Sequence, residues 1–330
     1  TYGCTLNFSD TELMQGLLVD VGFTIVDDPN DSEVIVVNTC AVKKPTENKF
    51  FNKLKKLEDL RRPIIIAGCI AKALPEKLKK YSLISPDNIN DIVSVIEETM
   101  HDNTEKLLDY EKNPRLNLPL VRKNKIVEIL PISKGCQGEC TYCVVKYARG
   151  EFYSYQEDII NQARSAINKG VKEIWVTAQD TGCYGKDLKS SLPELLNELV
   201  KLPGDFKIRV GMMNPNHVEE MFDDLVEVLK NKKLFKFVHI PVQAGNDKIL
   251  KKMKRKYTSS EFKTIVKNFR EAIPEITIAT DVICGFPGET KEQFQDTVNL
   301  IDEIKPEVMN ISRFWSRPKT SAQKLFPLSG

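Results

Sequence analysis

Two rhythms of apolar and polar positions alternate along this chain. Near the N-terminus, Ser9 and Glu12 stand at the S-x-x-E spacing of a capping box, which predicts a helix running through Leu17 and Val19. The β-branched run EVIVVN at Glu33–Asn38 predicts a strand, and apolar positions at Phe50, Leu54 and Leu57 then return to helical spacing. A second strand is predicted at Pro63–Ala67 (PIIIA), followed by helices near Leu74–Lys80 and over Asn90–Glu98. Strands alternating with helices predict a parallel sheet with helices on its faces. Residues 101–125 are polar and charged, contain two prolines, and read as a linker.

Beyond that stretch a strand–loop–helix unit repeats. Strands are predicted at Val127–Ile132, Glu173–Thr177, Lys207–Gly211, Phe237–Ile240, Thr277–Ile283 and Val308–Ser312. Helices fall between them, at Gln156–Asn168, Leu192–Val200, Val218–Leu229 and Lys291–Glu303. The fold class is therefore α/β: an N-terminal parallel α/β domain over 1–100, the linker, and a partial (β/α)6 barrel over 126–330. Barrels of this kind place their chemistry at the C-terminal ends of the strands.

A length of 330 residues suffices for two cores, and the 41% hydrophobic and 28% charged fractions are those of an ordinary globular chain. No apolar run reaches the ~18 residues of a membrane span, so no membrane partner is expected. The opening TYGCTLNFSD has neither a basic n-region nor an apolar h-region, which predicts a cytoplasmic protein without a secretory signal. It begins at Thr1 rather than Met, and a few native N-terminal residues are expected to be missing. A net charge of +2 is too small for a protein that coats nucleic acid, so any RNA contact is local.

Eight cysteines occupy positions 4, 40, 69, 136, 140, 143, 183 and 284. In a cytosolic setting they point to metal or redox use rather than disulfides. The compact group is Cys136, Cys140 and Cys143 in KGCQGECTYC, a C-x3-C-x2-C spacing directly after the first predicted barrel strand. Three thiolates can hold three irons of a four-iron cluster and leave the fourth open to a small molecule. Zinc is the rival, but structural zinc takes four protein ligands, and no fourth Cys or His lies nearby. Cys4, Cys40 and Cys69 are dispersed, yet each follows a predicted strand or the expected end of one. Ligands of parallel sheets gather at that end. Taken singly, each also reads as a small buried residue. Cys284 reads as a core residue, and Cys183 as a loop residue facing the site.

The C-x3-C-x2-C motif, its place after the first strand and the six-unit barrel together resemble the radical S-adenosylmethionine superfamily. YGC with Asn7, NTCAV at 38–42, AGC at 67–69, TAQDTGCYG at 177–185, HIPVQAGN at 239–246, MKRKYT at 253–258 and TDVICGFPGET at 280–290 resemble the methylthiotransferases over nearly the whole chain. VKKPTEN at 42–48, YARG at 147–150 and GMMNPNHV at 211–218 are most similar to the archaeal and eukaryotic branch, which acts on N6-threonylcarbamoyladenosine in tRNA. The resemblance implies a 4Fe-4S cluster on Cys136, Cys140 and Cys143 that binds S-adenosylmethionine, and a second 4Fe-4S cluster on Cys4, Cys40 and Cys69. It further implies methylthiolation of C2 of the adenine just 3′ of the anticodon, with the tRNA anticodon arm as partner and an unidentified electron donor. A methylthiotransferase acting on a ribosomal protein, and a two-cluster electron carrier or sensor, are the alternative readings. The family also ends in a small all-β RNA-binding domain, which these 330 residues do not include, so weak and salt-dependent tRNA binding is expected.

Four further residues are candidate cofactor contacts. Gln179, ending the second barrel strand, is expected at the cofactor's amino group, with ordinary turn chemistry as the alternative. Arg209, a charge inside the apolar strand IRV, would pair with the cofactor carboxylate or form a structural ion pair. Tyr142 lies between two cluster cysteines, its backbone toward the adenine and its ring over the cluster. Gly285 in GFPGE would line the adenine pocket or simply turn strand into helix. His239 and Gln243 close the fourth strand, where His239 reads as a satisfied core histidine, while His101 and His217 read as surface residues. Lys248, Lys251, Lys252, Lys254, Arg255 and Lys256 form a basic run on the rim where RNA would arrive, with Arg115, Arg122, Lys123 and Lys125 adding to it; a solvated helix face is the plainer reading.

Overall fold

A computed structural model describes residues 1–42, 44–156 and 158–325 of the chain. They form two units, Thr1–Lys125 with Val144–Glu151, and Ile126–Cys143 with the residues from Phe152 onward.

In the first unit the β-branched runs become strands. The element order is α1 (Thr5–Asp20), β1 (Ile35–Thr39), α2 (Lys44–Glu58), β2 (Ile64–Gly68), α3 (Cys69–Ala73), β3 (Ser82–Ile84), α4 (Ile92–Met100) and β4 (Lys106–Leu107). The sheet is parallel throughout, in the order β1-β2-β3-β4. Because successive side chains of a strand point to opposite faces, β2 feeds two cores. Ile64 and Ile66 pack with Phe50, Leu54 and Leu57 of α2, and Ile65 and Ala67 pack with Leu13, Met14, Ile92 and Ile96.

Several local expectations give way to tertiary structure. α1 starts at Thr5 with Cys4 in the N-cap position, and Ser9 lies inside it. The Glu12 carboxylate is not free to close a capping box, since it is buried and accepts the Lys123 N–H at 2.9 Å. Gly68, at φ +89°, swings the chain from β2 straight into α3, so the helix expected near Leu74–Lys80 arrives early and leaves only a 3-10 turn at Pro75–Lys77. The strand β3 had no sequence expectation. Residues 101–125, read as a linker, pack on the first unit instead. Lys106–Leu107 extends the sheet, Leu116 is buried, Arg115 pairs with Asp10 at 3.0 Å, and Val121 donates to Glu12 O at 2.9 Å. A Cβ at Gly16 of α1 would lie 2.1 Å from the Pro119 carbonyl oxygen, so that close approach needs glycine. A cleft of about 860 Å³, lined by Phe23, Val34, Ile96 and Met100 among others, opens elsewhere in this unit and reaches none of the cysteines.

The second unit begins with β5 (Val127–Pro131) and a short antiparallel pair, β6 (Ser133–Lys134) with, after α5 (Val145–Arg149) of the first unit, β7 (Tyr153–Ser154). There follow α6 (Asp158–Asn168), β8 (Glu173–Thr177), α7 (Leu192–Lys201), β9 (Lys207–Val210), α8 (Pro215–Glu220), α9 (Phe222–Leu229), β10 (Phe237–His239), α10 (Asp247–Lys252), α11 (Ser259–Ala272), β11 (Thr277–Cys284), α12 (Lys291–Ile304) and β12 (Val308–Arg313). Two parallel arcs, β5-β8-β9 and β10-β11-β12, are joined through the Ile208–Leu234 bridge into the six-stranded partial barrel. Capping boxes at Ser191–Glu194, Thr258–Glu261 and Thr290–Gln293 start α7, α11 and α12. The single helix expected over Val218–Leu229 is two helices, broken at Met221. Ile174, Val176, Ile208, Val210 and Val238 are fully buried, whereas the alternate residues Trp175, Arg209, Phe237 and His239 are half-buried on the opposite face. Among the described residues no helix is long and apolar enough to cross a membrane.

Gly16→Val should destabilise the first unit by about 2 kcal/mol, because the new side chain meets backbone that cannot move aside. Urea unfolding checks this, and an unchanged midpoint would mean that the Pro119 segment does not pack on α1.

Two candidate cysteine centres

In the first unit, three turns bring Cys4, Cys40 and Cys69 together. Cys4 holds the N-cap position of α1 without capping through its side chain, Cys40 follows β1, and Cys69 begins α3 directly after Gly68. The approach is close enough that a Cβ on Gly3, at φ +144°, would sit 2.7 Å from Cys40 Cβ. A polar frame fixes the turns. Asn7 Nδ2 donates to Thr39 O at 3.0 Å, Asn38 Nδ2 donates to Asn7 O at 2.7 Å, and Cys4 Sγ lies 3.3 Å from Asn7 Oδ1. Burial, and then repulsion from Cys69 and Cys4, push the Cys40 thiol up to about 12. Burial also pushes Cys69 up, with Arg149 opposing it. Two buried thiols raised in this way need positive charge nearby before they can ionise, and that is the chemistry of a metal–thiolate site.

Part of that charge is already present. Arg149, at the end of α5, is buried against the site and pairs with Asp10 at 2.8 Å, while Asp10 also takes Arg115 at 3.0 Å. Burial works against the Arg149 charge, but Asp10, Cys69 and Cys4 outweigh it and hold the guanidinium well above its ordinary range.

The second centre is the loop after β6. Gly138 N–H donates to Cys136 Sγ at 3.2 Å, and Cys143 N–H donates to Cys140 O at 3.1 Å. A Cβ on Gly138 would stand 3.2 Å from Cys136 Sγ and 3.7 Å from Cys140 Sγ, so glycine keeps the space between the two sulfurs clear. Thr141 ties the loop to its neighbours, its N–H bonding Met253 O at 3.1 Å and its carbonyl accepting Ala322 N–H at 2.8 Å. Cys183, fully buried, hydrogen-bonds Cys136 and holds it below the usual thiol range, while that bond and burial push Cys183 itself up. The Cys183 sulfur also lies 3.4 Å from Asp180 Oδ2. Asp180, Cys183 and His217 bring ligand atoms within 4.8 Å of one another, in a network where Asp180 accepts from Gly182 N and Asn214 N at 3.1 Å.

The candidate cofactor residues fare differently. Gln179 Oε1 is buried with no hydrogen-bond partner, as an acceptor awaiting an amino group would be. Tyr142 sets its ring edge-on to Phe286 at 6.5 Å, and burial pushes its phenol well up. Gly285 is at φ +72°, and its N–H and that of Phe286 are taken by Glu289 Oε2 at 2.7 and 3.2 Å, which is turn chemistry. Arg209 lies between two rings, its guanidinium carbon 5.5 Å from the Trp175 centroid and 4.9 Å from that of Phe237. His239 Nε2 meets Asp281 Oδ2 at 2.9 Å, the satisfied state expected of it. His217 is buried rather than superficial, because Pro215 starts α8 and turns it inward; burial pushes it down.

The basic run loses one member. Lys248, Lys251, Lys252, Lys254 and Lys256 are exposed, but Lys254 takes a left-handed conformation at φ +57° and Arg255 turns in toward the cysteine loop. The sequence signal for this was slight: an arginine among lysines next to an apolar Met253 and Tyr257.

Known proteins bear on both centres. Residues 130–301 match the model of the Radical SAM superfamily, and residues 1–85 match that described as Uncharacterized protein family UPF0004. A probable threonylcarbamoyladenosine tRNA methylthiotransferase of Pyrococcus horikoshii is 43% identical over 100% of this chain, which spans 79% of that relative. The threonylcarbamoyladenosine tRNA methylthiotransferase of Homo sapiens is 40% identical over 98% of the chain, which spans 58% of the human protein. The solved structure of TsrM, a radical S-adenosylmethionine methyltransferase from Kitasatospora setae, matches with a TM-score of 0.69 at 14% identity, covering 97% of this chain and 74% of that one, a likeness of fold alone.

Arg149→Met should cost about 3 kcal/mol of stability, the lower end for breaking a buried pair because Arg115 still partners Asp10. Denaturant unfolding of the metal-free protein measures it, and a loss under about 1 kcal/mol would place the pair in water rather than in the core.

Proposed function

As the chain belongs to the threonylcarbamoyladenosine tRNA methylthiotransferase family, we propose that it adds a methylthio group to C2 of N6-threonylcarbamoyladenosine just 3′ of the anticodon. The observation that carries this reading is the pair of thiol triads, one in each unit. A radical enzyme that only removes hydrogen needs one, whereas sulfur insertion needs a second place to hold the sulfur. Two 4Fe-4S clusters and S-adenosylmethionine, when bound, supply one-electron chemistry for hydrogen removal at C2 and the methylthio group itself.

The chain's own residues bind and orient. Cys136, Cys140 and Cys143 hold one cluster, and Cys4, Cys40 and Cys69 the other. Gln179 Oε1 accepts from the cofactor's amino group, a role supported by its lack of any other partner. Tyr142, backed by Phe286, keeps water from the cluster loop. Arg209, clasped between Trp175 and Phe237, keeps a positive charge for a carboxylate on that face of the strands. Gly285 serves the adenine side only through its turn. The five exposed lysines from Lys248 to Lys256 meet phosphates of the anticodon arm, giving affinity without sequence choice. The reaction takes place in the cytoplasm, with electrons from an external donor.

Mass analysis of tRNA nucleosides from cells with and without the gene tests the reading. Loss of the 2-methylthio derivative, with its parent nucleoside accumulating, is expected; an unchanged tRNA profile with a modification lost from a ribosomal protein would overturn it. The reconstituted protein should bind about eight irons. Replacing Cys4, Cys40 and Cys69 by Ala should halve the iron and stop sulfur transfer while cleavage of S-adenosylmethionine continues; full iron in that variant would make them ordinary core cysteines.

A further inference from the structure

Arg255 is the one member of the basic run that the RNA reading does not use. Its guanidinium is held at three points. Nη1 donates to Cys140 Sγ at 3.0 Å, Nε donates to Tyr257 Oη at 2.9 Å, and Nη2 donates to Asn214 Oδ1. Each partner is itself fixed. Tyr257 Oη donates onward toward the carbonyls of Val242 at 2.7 Å and Pro241 at 3.0 Å, and Asn214 donates to Asp180 through both its N–H and its side-chain amide. The guanidinium carbon stands 5.0 Å from the Tyr257 ring centroid. No acidic side chain is among these partners, and among the described residues no carboxylate is in contact with the positive charge. It is directed at the sulfur.

We propose that Arg255 is a positioning residue for the radical cluster, which gives one N–H and a fixed positive charge to the Cys140 sulfur and thereby raises the potential at which the cluster accepts its electron. The proposal rests on Cys136, Cys140 and Cys143 being the cluster ligands. The physics is direct. Reduction adds negative charge to the cluster and its sulfurs, and a donor N–H and a cation beside one of them favour the more negative state. A lysine in the same place would supply a point charge without the planar fork that reaches Tyr257, Asn214 and Cys140 at once. The absence of a carboxylate at the guanidinium matters, because a paired arginine would present little net field.

The test compares the reconstituted full chain with Arg255→Gln, Arg255→Lys and Tyr257→Phe. Iron content, read on each sample, checks the ligand assignment separately from the proposal. A dithionite titration with mediators then follows the EPR signal that changes on adding S-adenosylmethionine. In Arg255→Gln the ratio of reduced to oxidised cluster at a fixed potential should fall about tenfold, a shift of ~59 mV to more negative values for one electron. Arg255→Lys should fall between that variant and the natural chain, and Tyr257→Phe should shift in the same direction by less. An unchanged midpoint with weakened S-adenosylmethionine binding would overturn the proposal and make Arg255 a ligand for the cofactor carboxylate. An unchanged midpoint with unchanged cofactor affinity would also overturn it. So would loss of the cluster from Arg255→Lys and Tyr257→Phe alike while the metal-free chain unfolds normally, since Arg255 would then be a brace of the loop.

Discussion

Thiolates gathered out of water repel one another, and the repulsion is largest where the local dielectric is low. Each unit of this chain is arranged around that constraint. On the proposed reading, three sulfurs must approach closely enough to share one cluster, and something must make their ionisation tolerable until it is present. In the first unit the approach is made by tight turns with glycines at Gly3 and Gly68, and the compensation by Arg149, which Asp10 keeps in place. In the second unit the approach is local in sequence, and the compensation comes from Gly138 N–H, Cys183 and Arg255, bonded to the sulfurs of Cys136 or Cys140. The two sites reach one electrostatic solution by different covalent routes.

The barrel serves this arrangement through its register. Trp175 pairs with Arg209 across neighbouring parallel strands, so both side chains emerge on one face, and Phe237 of the next strand closes over the guanidinium. The apolar residues at the alternate positions are fully buried. This face can hold a charge because the other carries the packing.

Sequence reading was strongest where one local rule decides the outcome. The alternating strand and helix runs located β1, β2 and the six barrel strands to within one or two residues, because pattern and burial agree there, while β3 and β4 left no such run. The compact cysteine triad was visible for the same reason. Reading was weakest where distant residues decide. The Ser9–Glu12 spacing suggested a helix start, but Glu12 is engaged by Lys123, far along the chain. Residues 101–125 looked like a linker because their composition is polar, while a single glycine in α1 gives them a seat. Arg255 looked like one cation in a basic run, and only the left-handed turn at Lys254 shows that it points the other way. Composition describes what a segment is made of; partners so far away in sequence leave no trace in it.

Arg149 lends the first unit a chronology. The cation beside Cys69 and Cys4 is encoded after both the sheet it serves and the cysteine loop of the other unit. During synthesis, the first sheet and its three cysteines leave the ribosome long before their counter-charge exists. Closing so long a loop costs more entropy than any contact within the sheet itself. For that interval Asp10 has Arg115 at most as its partner, and the nascent site is a set of mutually repelling sulfurs. The pocket thereby reaches its final electrostatics only once the Cys136–Cys143 loop has also been made.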